Sequence, residues 1–327
     1  MTQTKHTTPG AEPRDTHTPK PALTPYVVSA DIHLLLKQWA EKRGFNLPPL
    51  HLFFELRNQM TAELAAIFPG RSVDMITEEE LVAGINQLTQ GHNDPVVSLD
   101  RTYATAAAQT LEATRMIDTT LNSLDIGSRT GECLEDQVAR IAQAGGSTIF
   151  QLVDDVIFYG ESMVHLIGLM KKAGLRVSRI IAGIMIAEGQ RAIHAAHPEV
   201  EICATRTYPA VLDEICERDF YAGVPFSGRL IGERRNGGVL PLHPERGAPY
   251  FLPFGKPYEW ATIPKEMEKY WSVFCLTQSI TLWKAVEAAN PDRIVVLSDL
   301  DRVPGPHNTP TRSLVGILEG ELRKLSS

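Results

Sequence analysis

The sequence predicts an α/β protein, a doubly wound parallel sheet with an N-terminal helical layer and a C-terminal loop-rich cap. Three observations predict it. Between Asp94 and Arg206, short apolar runs alternate with helix-length amphipathic stretches, the grammar of a parallel sheet with crossover helices. Before that region three helical patterns follow one another. After it, Pro and Gly crowd a stretch too aromatic to stay unfolded.

The elements follow in chain order. Met1 to about Pro25 is rich in Thr and Pro without apolar periodicity and reads as a disordered tail, residues 1–25. Residues 26–93 form the helical layer. DIHLLLKQWAEKRG sets Ile32, Leu35, Leu36 and Trp39 on one helical face, with Gly44 as a stop. A second helix runs near Phe53 to Phe68. A third opens at Thr77 with the Thr-x-x-Glu pattern of a capping box and ends by Gly91. Residues 94–206 form the core: PVVSLD a strand, ATAAAQTLEATRMIDTTL a strong helix, STIFQLVDD a buried strand, and SMVHLIGLMKKAG a helix ending at Gly174. RVSRIIAGIMIA, AEGQRAIHAAH and VEICATR then read as strand, helix and strand. Residues 207–327 form the cap, with a helix near Lys265 to Ala289 and a strand at RIVVLSDLD.

The 327 residues suffice for one sizeable core with an added cap. A formal charge of −7 argues against a protein that coats a nucleic-acid backbone, and no nucleic-acid partner is expected. Cys133, Cys203, Cys216 and Cys275 form no CxxC pair, so neither a zinc knuckle nor a disulfide framework is indicated. The thiols, with no signal peptide, fit a cytoplasmic protein. The apolar run Ile180 to Ala187 is strand-sized, so no membrane span is expected. His165, His194 and His243 lack metal-ligand spacing.

The stretch QLVDDVIFYGESM carries the sharpest functional signal. Asp154 and Asp155 end an apolar strand, a turn follows through Phe158, Tyr159, Gly160 and Glu161, and Ser162 opens a helix. Ligands of open α/β sheets sit beyond the carboxyl ends of strands, and free N–H groups at a helix start favour a phosphate. Gly160 lets backbone approach closely and Ser162 adds a hydroxyl. The carboxylates suit a vicinal diol or a hydrated divalent cation. The same pattern also fits two aspartates that only cap a strand end and a helix start.

These residues resemble the type I phosphoribosyltransferases, in which an apolar strand, an acidic pair and a few residues precede Thr-Gly-x-Thr or Thr-Gly-x-Ser. Asp154 and Asp155 fall on the acidic pair, Gly160 on the glycine, Glu161 on the variable position and Ser162 on the final hydroxyl. Tyr159 stands where the family usually has threonine. The resemblance covers roughly Asp94 to Arg206. It implies a phosphoribosyltransferase-like fold and transfer of a phosphoribosyl group between phosphoribosyl diphosphate and a nucleobase-like acceptor in nucleotide metabolism. It implies Mg2+ as cofactor, held by Asp154 and Asp155, and leaves room for a homodimer. It further implies a diphosphate-holding loop at Asp100, Arg101 and Thr102, in which the Arg101 fork meets the leaving group, and a closing loop from Ile126 that delivers Arg129. Phe220 and Tyr221 are the expected stacking residues for the acceptor.

Two other functions compete: a non-catalytic nucleotide-sensing or regulatory protein with the same fold, and a hydrolase acting on a nucleotide or glycosyl bond. RIVVLSDLDRVPG also resembles the opening of haloacid-dehalogenase-like phosphatases at Asp299 and Asp301. Too few residues follow it to complete that fold, and it reads as a strand end whose Asp301 and Arg302 can still face the pocket.

Overall fold

The computed structural model describes residues 23–104, 107–144, 146–235, 238–307 and 309–327. The segment read as a tail lies outside them up to residue 22. The chain enters through β1 (Tyr26–Ser29), followed by α1 (Ile32–Arg43), α2 (Leu50–Ile67), β2 (Val73–Ile76) and α3 (Glu78–Thr89). The three expected helices are present. On α1 the predicted apolar face is buried, and Gly44, at φ 71°, returns its N–H to Ala40 O at 2.8 Å to end the helix. Thr77 caps α3 by accepting the Glu80 N–H, while the Glu80 carboxylate pairs with Arg206 instead of completing the capping box. That pair docks α3 on the sheet. A Cβ on Gly84 would lie 2.2 Å from the Thr205 side chain. The strands β1 and β2 were not expected; each is only four residues long, too short to show an alternation.

The middle of the chain runs β3 (Val96–Ser98), β4 (Gln109–Thr110), β5 (Ala113–Ile117), β6 (Ser123–Ser128), α4 (Leu134–Gln143), β7 (Ile149–Ile157), α5 (Glu161–Lys172), β8 (Arg176–Ile186), α6 (Ala187–Ala196) and β9 (Glu201–Tyr208). Five of these strands pair in parallel in the order β4-β3-β7-β8-β9. Side chains alternate across this sheet. Leu152 and Ile180 meet Leu166 of α5 and Ile193 of α6 on one face. Val153 and Ile181 meet Leu81 and Ile85 of α3 on the other. Each such side chain contributes about 1.5–3 kcal/mol on burial.

The strong helix expected over ATAAAQTLEATRMIDTTL is not present. Positions 105–106 lie outside the described residues, and the rest forms β4, β5 and a turn. Alanine favours helix, but Ala113, Met116 and Ile117 are buried through β5, which pairs antiparallel with β6. Asp118 closes the turn between β5 and β6 by accepting the N–H groups of Thr120 and Asn122 at 2.8 and 2.9 Å.

The remainder comprises β10 (Asp213–Cys216), β11 (Arg229–Arg235), β12 (Gly238–Pro241), β13 (Arg246–Ala248), α7 (Pro257–Ala261), α8 (Glu268–Ala288), β14 (Val303–Pro304) and α9 (Leu314–Ser326). A second sheet runs β14-β13-β11-β5-β6, with β12 beside β11, and a third runs β10-β1-β2 in parallel. The expected strand at RIVVLSDLD is instead a bridge at Val296 and a short 3-10 turn, Leu297–Asp299. Asp299 bends the chain there by accepting the Val296 N–H at 3.0 Å and pairing with Arg293. Tyr26 and Val28 face a large apolar core shared by α1, α2, α8 and α9, in which Trp39, Trp271 and Trp283 are fully buried. The protein is therefore mixed α/β with parallel sheets. No helix among the described residues is long and apolar enough to cross a membrane.

Candidate functional site

The carboxyl ends of β3, β7 and β10 and the start of β5 open onto one cavity of about 370 Å³. A smaller one of about 280 Å³ lies beside it, and both are lined by Arg115, Arg129, Asp155 and Arg218. Ligand sites in open α/β sheets occupy this end of the strands.

Asp154 and Asp155 stand on β7 itself, because the strand runs on to Ile157 instead of stopping at Val153 as expected. As neighbours on a strand they leave the sheet on opposite faces. Asp155 accepts from Arg218 Nη2 at 3.2 Å, and Arg218 also pairs with the fully buried Asp31 at 2.6 Å. Asp154 lines the smaller cavity alone of the two. Burial pushes its carboxyl well above the usual range, and the Asp155 charge pushes the same way, against Arg129.

Asp100, after β3, accepts the backbone N–H groups of Thr102, Tyr103 and Ala104 at 2.8, 2.6 and 2.7 Å. Its carboxylate thus shapes the loop instead of offering free oxygens, and Thr102 is buried in that loop. Arg101 lines the cavity, paired with Glu112 and lying 5.1 Å above the Phe226 ring.

The loop expected to close from Ile126 is already in place. Ile126, Gly127 and Ser128 belong to β6, and a Cβ on Gly127 would strike Val239 O at 2.3 Å, so this glycine serves packing. Gln137 clasps Ser128 Oγ at 2.8 Å and Glu132 O at 3.0 Å. Arg129 donates to Leu99 O at 2.8 Å and lines the cavity without any closure. Burial, followed by the Arg101 charge, holds its guanidinium below the usual value.

In the turn after β7, Gly160 adopts φ 80°, a region that strains any other residue type. A Cβ there would lie 2.7 Å from Gly189 O on α6, so the glycine lets the turn pack against that helix. It also leaves α5 without a side-chain cap, with its first-turn N–H groups beside the smaller cavity, which Gly160 and Ser162 line. Phe158 and Tyr159 line both cavities, and their ring centroids are 4.5 Å apart. Tyr159 is exposed, with the Arg115 guanidinium 6.0 Å above its ring. Glu161 is exposed on α5, away from both.

Phe220 and Tyr221 do not reach the cavity. Both are fully buried in the helical core, Phe220 edge-on to Trp271 at 4.8 Å, so neither can stack on a ligand. Besides Phe158, Tyr159 and Phe226, the cavity is lined by Tyr250 and Trp260, and Arg229 lies against both of these, 5.3 and 4.8 Å from their rings.

Sequence reasoning missed Arg115, Arg218, Tyr250 and Trp260. The alternating charges of Cys-Glu-Arg-Asp after an apolar strand could have pointed to Arg218. Of the two residues after the RIVVLSDL run that could face the pocket, Arg302 lines the cavity and Asp301 does not. Among the described residues, no three His, Cys, Asp or Glu side chains group to hold a metal ion. Of the acidic pair expected to hold Mg2+, Asp155 is engaged by Arg218 and Asp154 faces the smaller cavity.

No protein-family model matches the chain. Among solved structures, it is similar to adenine phosphoribosyltransferase from Rhodothermus marinus DSM 4252, with 15% identity over 39% of this chain and 77% of that one, at a TM-score of 0.26. Orotate phosphoribosyltransferase from Mycobacterium tuberculosis H37Rv is 14% identical over 39% of this chain and 68% of that one, with a TM-score of 0.24. TT1426 from Thermus thermophilus is 15% identical over 42% of this chain and 84% of that one, with a TM-score of 0.26. Likenesses this distant carry no weight for what this chain binds.

Proposed function

We propose that the cavity binds phosphoribosyl diphosphate and transfers its phosphoribosyl group to a planar, nucleobase-like acceptor. The observation that carries this reading is a pair of adjoining cavities that share Arg129. Asp154 and the uncapped start of α5 line the smaller one, Arg101 lines the larger one, and Arg129 lines both. A sugar phosphate needs both diol and phosphate contacts, and a diphosphate leaving group needs cations.

In the reaction, the bond between the anomeric carbon and the diphosphate oxygen breaks and a bond to the acceptor nitrogen forms, with loss of that nitrogen's proton to solvent. Positive charge develops on the sugar ring and negative charge on the leaving group. Arg101 and Arg129 would stabilise the second, while the Asp154 side and the α5 N–H groups hold the sugar still. Magnesium would arrive on the diphosphate as part of the substrate, since this ion keeps most of its ligands as water and phosphate oxygens. Arg229, backed by Tyr250 and Trp260, faces the remaining space and suits the acceptor.

A second reading, a nucleotide sensor without turnover, is favoured by the Asp155 ion pair with Arg218 and by Tyr159 in place of a short hydroxyl. The first test is Asp154→Asn combined with Asp155→Asn. Ribose 5-phosphate affinity should fall at least tenfold, with the circular dichroism spectrum unchanged. Unaltered affinity would remove the site assignment for both readings.

A further inference from the structure

Arg302 is contributed by the C-terminal segment, just before β14, and its side chain lies on a floor that only glycine permits. A Cβ on Gly247 of β13 would sit 2.3 Å from Arg302 Cδ. From there the guanidinium reaches the 370 Å³ cavity also lined by Arg101, Arg129 and Arg218. It is 8% exposed. Its Nη1 donates to the carbonyls of Phe226 and Gly228 at 3.0 and 2.9 Å, and its Nε has no partner. No ion pair reaches it among the described residues. The nearby acid, Asp219, already accepts the Gly228 N–H at 2.7 Å.

A buried charge with no counter-ion is costly, and proteins keep one where a ligand completes it. Arg101 and Arg129 share the single carboxylate of Glu112, and Arg218 takes Asp31 and Asp155. Arg302 is the guanidinium of this group with no direct ion pair among the described residues, attracted only through space by Asp219. We propose that Arg302 is a further binding residue for the diphosphate group, joining Arg101 and Arg129 at the leaving-group end of the cavity from the C-terminal segment. This rests on the donor assignment above and adds a residue outside the core to it. The electrostatics agree: burial, then the Arg129 charge, holds the Arg302 guanidinium down at about 9, so an anion placed among these cations relieves a repulsion already present. A guanidinium offers several N–H donors, so Arg302 can keep its two carbonyls and turn its remaining donors to a phosphate.

The test is calorimetric titration of the full chain with inorganic pyrophosphate and, separately, ribose 5-phosphate, in the parent and in R302Q and R302K. Pyrophosphate affinity should fall at least tenfold in R302Q and severalfold in R302K, with ribose 5-phosphate within twofold of the parent. R302K retains the charge and the stem that packs on Gly247, so it carries the measurement if R302Q does not fold. Parent-like pyrophosphate affinity in a folded variant overturns the proposal while leaving the donor assignment standing. Equal losses for both ligands would make Arg302 a structural residue and also overturn it. A parent that binds neither ligand overturns both.

Discussion

Two buried groups of arginines and acids lie close together in this protein and differ in one respect. Beneath α1, Arg57 pairs with Glu78 at 2.7 Å and with Glu217 at 3.0 Å, and both carboxylates also accept backbone N–H groups. Glu217 takes those of Asp31 and Ile32, and Glu78 those of His33 and Leu34. These acids cap the helix start from outside, because Asp31 makes no side-chain cap of its own. Proximity to the two acids raises the Arg57 guanidinium despite the cost of burial. In the cavity the balance runs the other way. Burial and then the Arg101 charge hold Arg129 below its usual value, burial and then the Arg129 charge hold Arg302 down, and burial drives Asp154 up. Satisfied charges fix a backbone, whereas unsatisfied ones in an open cavity wait for a ligand.

The largest expected effect comes from breaking the satisfied group. Arg57→Ala leaves two buried carboxylates without a counter-ion and should cost about 3–5 kcal/mol in urea unfolding. A loss below about 1 kcal/mol would mean that the α1 N–H groups alone hold those acids, and the contrast would fail. A smaller effect is expected at the cavity edge. Burial pushes the Asp213 carboxyl up to about 6, against the 2.7 Å hydrogen bond from Thr262. A carboxyl raised in the folded state stabilises fully below the unfolded pKa of about 4, and that stabilisation is lost as pH rises through about 6, amounting to at most about 3 kcal/mol. Asp213→Asn has no such titration. The parent should therefore lose stability relative to the variant between pH 4 and pH 7 in parallel thermal melts. A constant difference would show that Asp213 is not desolvated.

Local features of the fold were legible in the sequence. Gly44 and Thr77 mark helix ends through their own backbone chemistry, and the apolar runs of β7, β8 and β9 are long enough to identify themselves. The alanines after Tyr103 misled, because helix propensity is a weak prior and pairing between β5 and β6 overrides it. The Asx turn at Asp118 was the available signal against a helix there. At the site, Asp154 and Asp155 were legible because strand, acids and helix start adjoin in sequence. Phe220 and Tyr221 were misplaced because an aromatic pair does not say whether it faces a core or a cavity. Arg302 was legible only as a residue at a strand end that could face the pocket, since the folded chain alone brings it to Arg101, and Asp155 revealed its partner only through the packing of β10 against β1.

The central claim is that this cavity accepts phosphoribosyl diphosphate. Calorimetric titration of the full chain with that compound in the presence of magnesium tests it most directly. The account predicts saturable binding at one site per chain that weakens when magnesium is withdrawn. Absence of saturation at millimolar ligand would contradict it.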